Sequence, residues 1–80
     1  MKVNKNDIKY IYYLAGKNLR RLRKKHGYTQ VELADLVNAS EGTIANIEND
    51  SYQTFSLEYI YIIAKALDED IREFFKPLDK

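Results

Sequence analysis

The sequence predicts an all-α domain of five helices, and three observations carry that prediction. Apolar residues recur at spacings of three and four along most of the chain, the period of an amphipathic helix. Cap residues stand ahead of these runs. Twice a Glu follows three residues later, Thr29 with Glu32 and Asp70 with Glu73, the pattern of a reciprocal capping box. No stretch alternates with the period of two that a half-buried strand requires. The chain has 80 residues, enough for one domain with a modest core, and its 45% apolar content suits a folded globule.

The first helix is expected from about Asp7 to Lys25, capped by Asn6 or Asp7. Ile8, Ile11, Ala15, Leu19 and Leu22 trace one face of it. Gly16 weakens its middle, so residues 7–14 are read either as its first turns or as a separate turn. Gly27 stands where a helix C-terminus favours glycine. The second helix spans about Gln30–Val37 behind Thr29, with Leu33, Ala34 and Val37 inward. Asn38 tolerates the left-handed backbone that ends it. The third spans Glu41–Glu48 behind the cap Ser40, burying Ile44 and Ile47. A loop over residues 49–55 follows. The fourth starts behind Ser56 and turns Leu57, Ile60, Ile63, Ala64 and Leu67 inward. The fifth carries Ile71, Phe74 and Phe75, and Pro77 blocks further helix. Residues 1–80 are read as one domain, with an N-terminal helical extension over 1–13 and a core over about 14–75.

Composition excludes several function classes. With no cysteine there is neither a disulfide framework nor a thiolate metal site. The single histidine, His26, is read as a solvated helix-end residue, so no metal and no cofactor is expected. No apolar run approaches the ~20 residues of a membrane span. The N-terminus does not read as a signal peptide, and a cytoplasmic protein is the default. An enzyme is not expected: no histidine–nucleophile pair, glycine-rich phosphate loop or metal cluster accompanies the carboxylates.

Net charge is only +1, but the charges are segregated. Lys17, Arg20, Arg21, Arg23, Lys24 and Lys25 crowd the first helix without an acid among them. Residues 29–75 hold ten acids against two bases, Lys65 and Arg72. The stripe is either a footprint for phosphates or a face paired with the later acids. Seven tyrosines are many for this length. Tyr28 is read as a core or staple residue beside Leu33. The others are surface cover or an association surface, to which tyrosine is suited.

Residues 29–50 read as two short amphipathic helices joined by a tight turn, with the small Ala34 where the helices would cross. On Gln30, Ala34, Ile44, Ile47 and Glu48 the chain resembles the Cro/cI-type (XRE-like) helix-turn-helix family. The resemblance extends upstream through GKNLRRLRKKHGYTQ (16–30) and downstream through SLEYIYIIAKALDEDIREFF (56–75). It implies a lambda-repressor-like DNA-binding fold and a transcriptional regulator of double-stranded DNA, acting as a homodimer.

The same resemblance distributes roles. The third helix would lie in the major groove with Glu41, Gly42 and Asn46 at base-reading positions. Asn46 can pair bidentately with adenine N6 and N7. Thr43 suits a thymine methyl or a phosphate, and Glu41 suits cytosine N4 or the helix's own positive end. Thr29 and Gln30 would hold a phosphate at the second helix's N-terminus, with Ser40, Asn49, Arg20 and Lys24 as further backbone contacts. Arg23 and Glu48 match an Arg–Glu pair that ties the first and third helices in phage repressors. The loop Asn49-Asp50-Ser51-Tyr52-Gln53-Thr54 lacks the bases the family normally has there. Asp50 stands where glycine is frequent, and Phe55 near a frequent proline. Surplus aromatic area near the chain ends makes Tyr10, Tyr12, Tyr13, Phe74 and Phe75 the expected dimer surface. The alternative reading is a protein-interaction module, an antitoxin-like or anti-repressor partner that keeps the fold and binds DNA weakly.

Overall fold

A computed structural model describes residues 4–49 and 53–78. Four α-helices and a short 3-10 helix follow one another: α1 (Tyr10–Lys25), α2 (Gln30–Leu36), α3 (Glu41–Glu48), α4 (Leu57–Ala66) and the 3-10 helix Ile71–Phe75. None of the described helices is long and apolar enough to cross a membrane.

The expected caps hold α2, α3 and α4. Thr29 Oγ1 accepts from the Glu32 amide at 3.1 Å, and Glu32 Oε1 accepts from the Thr29 amide at 2.8 Å. Ser40 caps α3 through the Thr43 amide, and Ser56 caps α4 through the Tyr59 amide. These bonds satisfy amides that a helix start otherwise leaves without partners. At the other ends, Gly27 and Asn38 take positive φ, as expected. Asp68 does so too after α4, which the sequence does not signal as strongly.

One core joins all the elements. Leu19, Leu22, Leu33, Ala34, Ile44, Ile47, Ile60, Ile63, Ala64, Leu67 and Phe74 pack together, each 2% exposed or less. Val37 and Ile71 pack half-buried against its edge rather than inside it, as does Tyr28.

Several expectations need correction. α1 starts at Tyr10 rather than Asp7, and no side chain caps it. Asp7 spends its carboxylate on the Lys9 amide, and Asn4, not Asn6, bonds the amide two residues on. Such local bonds compete with helix and hold residues before Tyr10 in turns. Ile8 therefore leaves the inward row and stands 90% exposed, and Ile11, in the first turn of α1, is 42% exposed. Leu57, expected inside, is 69% exposed, because the first residue of α4 lies past the edge of the core. The fifth element is a single 3-10 stretch. Asp70 bonds the Arg72 amide, and no return bond from the Glu73 side chain completes a capping box. Phe74, expected at the surface, is fully buried, because the tighter 3-10 winding turns it under α1.

Gly16 is also not a weak point. α1 runs unbroken through it, and the residue is buried against α3. A Cβ there would meet the Ile47 carbonyl oxygen at 2.0 Å, so glycine permits the close crossing of α1 and α3.

Candidate nucleic-acid interface

α3 turns Ile44 and Ile47 into the core, which fixes what its outer face presents. Asn46 and Glu41 are exposed there, as is Gly42, while Thr43 is half-buried. Ser40 Oγ and Thr43 Oγ1 lie 2.9 Å apart, so the cap and Thr43 form one hydroxyl pair. Gly42 has open space around it, and its nearest neighbour to an added Cβ is Ser40 Oγ at 3.9 Å. Packing does not demand glycine at that position. Asn49 ends α3 in extended backbone and is exposed.

What holds this face in place is the ion pair read from the sequence. Arg23 Nε donates to Glu48 Oε2 at 2.7 Å and Arg23 Nη2 to Glu48 Oε1 at 2.9 Å. A third nitrogen, Nη1, donates to the Tyr28 carbonyl at 2.8 Å. Arg23 is 8% exposed and Glu48 3%, so the bidentate pair is shielded. The hydrogen bonds it donates to Glu48 hold the Arg23 guanidinium above its ordinary pKa, against the opposing effect of burial. Gln30 Nε2 donates to Glu48 Oε1 at 3.2 Å, and Lys17 Nζ donates to the Glu48 carbonyl at 3.1 Å. One glutamate thus gathers α1, α2 and α3. Gln30, expected on phosphate alone, is half-buried and begins from this network.

The basic stripe divides. Arg21 bonds the Glu73 carbonyl and Lys25 bonds Glu69, both beyond α4. Arg23 and Lys17 serve Glu48. Arg20 and Lys24 are exposed, one turn apart on α1, and neither side chain has a hydrogen bond or ion pair among the described residues. The paired reading of the stripe thus holds for Arg21, Arg23 and Lys25. Thr29 stands exposed at the α2 N-terminus. Asp50 lies outside the described residues, and Phe55 packs half-buried against the core and edge-on to Tyr12, with ring centres 5.1 Å apart. The Tyr59 hydroxyl is buried without a hydrogen-bond partner among the described residues, and desolvation raises its pKa.

Asn18 escaped the reading from sequence. It is 2% exposed, and its Nδ2 donates to the carbonyls of Leu14, Phe74 and Lys76 at 3.1, 3.0 and 2.9 Å. Its Oδ1 accepts from Arg21. This side chain ties the C-terminal segment to α1. The available signal was a polar residue inside the inward row of Ala15, Leu19 and Leu22.

A helix-turn-helix family model matches residues 19–74. The chain belongs to the Cro/cI-type (XRE) helix-turn-helix family of DNA-binding transcriptional regulators. It is 37% identical over 60 residues to the competence pilus inhibition repressor of Acinetobacter baylyi, an alignment covering 75% of this chain and 54% of that protein. The chain thus spans about half the length of that relative. Among solved structures, the restriction-modification controller protein C.AhdI from Aeromonas hydrophila superposes with a TM-score of 0.73 at 33% identity, covering 80% of this chain and 96% of that one. The clp gene regulator ClgR from C. glutamicum superposes with a TM-score of 0.75 at 25% identity, covering 81% and 82%.

Proposed function

We propose that this chain is a sequence-specific DNA-binding transcriptional regulator, without enzymatic activity, that works in the cytoplasm as a homodimer on paired half-sites. The single observation behind the proposal is the α3 surface. Asn46 stands exposed on a helix whose position is fixed by the shielded Arg23–Glu48 pair. In this reading Asn46 reads a base from the major groove, with Thr43, Glu41 and Gly42 beside it. Ser40, Asn49, Thr29 and Gln30 meet groove edge and phosphate, and Arg20 and Lys24 supply free positive charge. Half-sites one helical turn apart call for a two-fold partner.

The protein-partner reading keeps support from one observation. Half of the basic stripe, Arg21, Arg23 and Lys25, is spent on internal acids, and the residues between α3 and α4 bring no base. An interaction module with weak DNA binding would have the same surface.

Selection of bound sequences from random duplex DNA, followed by fluorescence anisotropy, separates the two. A preferred duplex should emerge, and Asn46→Ala should relax specificity at one base pair per half-site, costing about 1–3 kcal/mol there. If no duplex binds better than random DNA, the regulator reading gives way to the protein partner.

A further inference from the structure

α3 carries the wrong charge at its C-terminal end. A helix is negative there, yet α3 ends on the acid Glu48 and has no base in its last turn. Arg23 neutralises the carboxylate, with Nε and Nη2 on Glu48 and Nη1 on the Tyr28 carbonyl. The backbone at this end is a separate matter. The last four carbonyls of a helix have no partner within it. The Glu48 carbonyl is one of these four, and Lys17 Nζ donates to it at 3.1 Å from α1.

Its neighbours hold Lys17 in that place. Gly16 lies against the Ile47 carbonyl, so two consecutive residues of α1 meet two consecutive carbonyls of α3. Lys17 is half-buried, and its ammonium stands 5.3 Å from the centre of the Tyr13 ring, within reach of a cation–π contact. Tyr13 in turn leans on Tyr10, with ring centres 5.6 Å apart. The ammonium is thus held between a ring and a carbonyl. Arg23 and Glu48 lie inside the residues that the family model matches, 19–74, whereas Lys17, Tyr13 and Tyr10 all precede them.

We propose that Lys17 is a positioning residue for DNA recognition. By holding the last carbonyl of α3 it fixes that end of the helix, two residues beyond Asn46, and so the angle at which Asn46 meets a base. A recognition side chain tolerates only about 10–20° of error in its placement. Without the ammonium, the Glu48 side chain stays tied to Arg23 while the backbone end of α3 is released. The consequence for DNA rests on the regulator reading above; the consequence for α3 does not.

Two measurements on the full chain test it. Lys17→Met removes the ammonium and keeps the apolar stem, and Lys17→Arg keeps a charged donor. Amide hydrogen exchange in the free protein, followed by NMR, reads α3 directly. In Lys17→Met the amides of Ile47, Glu48 and Asn49 should exchange several-fold faster, while those of α2 and α4 keep their rates. Lys17→Arg should exchange as the wild type does. Fluorescence anisotropy well below the melting temperature then compares the selected duplex with a random one. Lys17→Met should lower the ratio of the two affinities roughly three- to tenfold, the effect of losing one hydrogen bond. Lys17→Arg should restore the ratio, Tyr13→Leu should lower it by less than Lys17→Met does, and the salt slope should stay where it was. Equal losses on both duplexes with a shallower slope would make Lys17 a phosphate contact and overturn the proposal. An unchanged ratio in Lys17→Met overturns it too, as does exchange that is unaltered or faster throughout the protein. If the wild type prefers no duplex, the regulator reading falls, and exchange alone decides the role of Lys17 toward α3. Faster exchange confined to the end of α3 then sustains that role, and any other pattern ends it.

Discussion

A guanidinium that spends three of its five N–H donors at 2.7 to 2.9 Å on Glu48 and the Tyr28 carbonyl, and is only 8% exposed, belongs to the scaffold rather than to the exposed face of α3. Its value shows when one partner is removed. Glu48→Gln or Arg23→Met alone should destabilise by roughly 3–5 kcal/mol, since each leaves a shielded charge unpaired. The double variant should lose much less than the sum, and urea denaturation of the four proteins measures the difference. Small additive losses would mean two independent charges. This pair was legible because the two residues stand at matched positions of a known pattern. His26 was not, since its partner lies far along the chain. His26 Nε2 sits 2.6 Å from Glu69 Oε2, and Lys25 bonds the same oxygen. The His26 hydrogen bond first, then that of Lys25, holds the Glu69 carboxyl below its ordinary 4.5. Beside it, Arg72 brings Asp70 down from 3.8 to about 2. Both carboxylates bind their proton more weakly in the folded state. Their contribution is therefore present above the unfolded values and is lost as pH falls through the folded ones. The melting temperature should decline from about pH 4.5 toward pH 2, and Asp70→Asn should make that decline shallower. An unchanged slope in Asp70→Asn would remove Asp70 from the acid response.

At the scale of elements, helix existence and caps were readable wherever a hydroxyl or carboxylate cap met a periodic apolar row. The boundaries of α2, α3 and α4 follow from Thr29, Ser40 and Ser56 to within a residue. Legibility failed where a local bond competed, as at Asp7, or where the decisive fact was a distance between elements. Gly16 is the clearest case. Read along one helix it is only a poor helix former; across two helices it is the contact point of α1 with α3. Gly16→Ala tests the distinction through opposite signs. Intrinsic propensity alone would stabilise α1 by about 1 kcal/mol. The added Cβ meets backbone, the Ile47 carbonyl, which cannot rotate aside as a side chain would. Overpacking of that kind costs about 1–3 kcal/mol or more, so the net change should be destabilising in chemical denaturation. A more stable Gly16→Ala protein would show that α1 and α3 do not approach so closely. Asn18 failed to be legible for the same reason, because its acceptors at Phe74 and Lys76 lie far along the chain.

For the whole molecule, charge segregation in the sequence translates into charge cancellation in the fold. The base-rich α1 binds the acid-rich remainder through Arg21 to Glu73, Arg23 to Glu48 and Lys25 to Glu69. Within the α1 stripe, counterion release can act on Arg20 and Lys24, because only a cation not already neutralised displaces ions from DNA when it reaches a phosphate. Each neutralised phosphate adds about 0.9 to the steepness of log K against log salt, and a typical module makes about 6–10 such contacts. The slope for this chain should therefore be distinctly shallower. Arg20→Ala and Lys24→Ala should each reduce it by about 1 per half-site and weaken all duplexes alike, leaving base preference intact. Lys25→Ala, whose charge already belongs to Glu69, should leave the slope where it was. Anisotropy titrations across a salt series measure all three variants on one selected duplex. A steep wild-type slope would mean that the internal ion pairs open on DNA. A slope unmoved by Arg20→Ala and Lys24→Ala would place this face of α1 away from the phosphates and turn the recognition surface around a different axis.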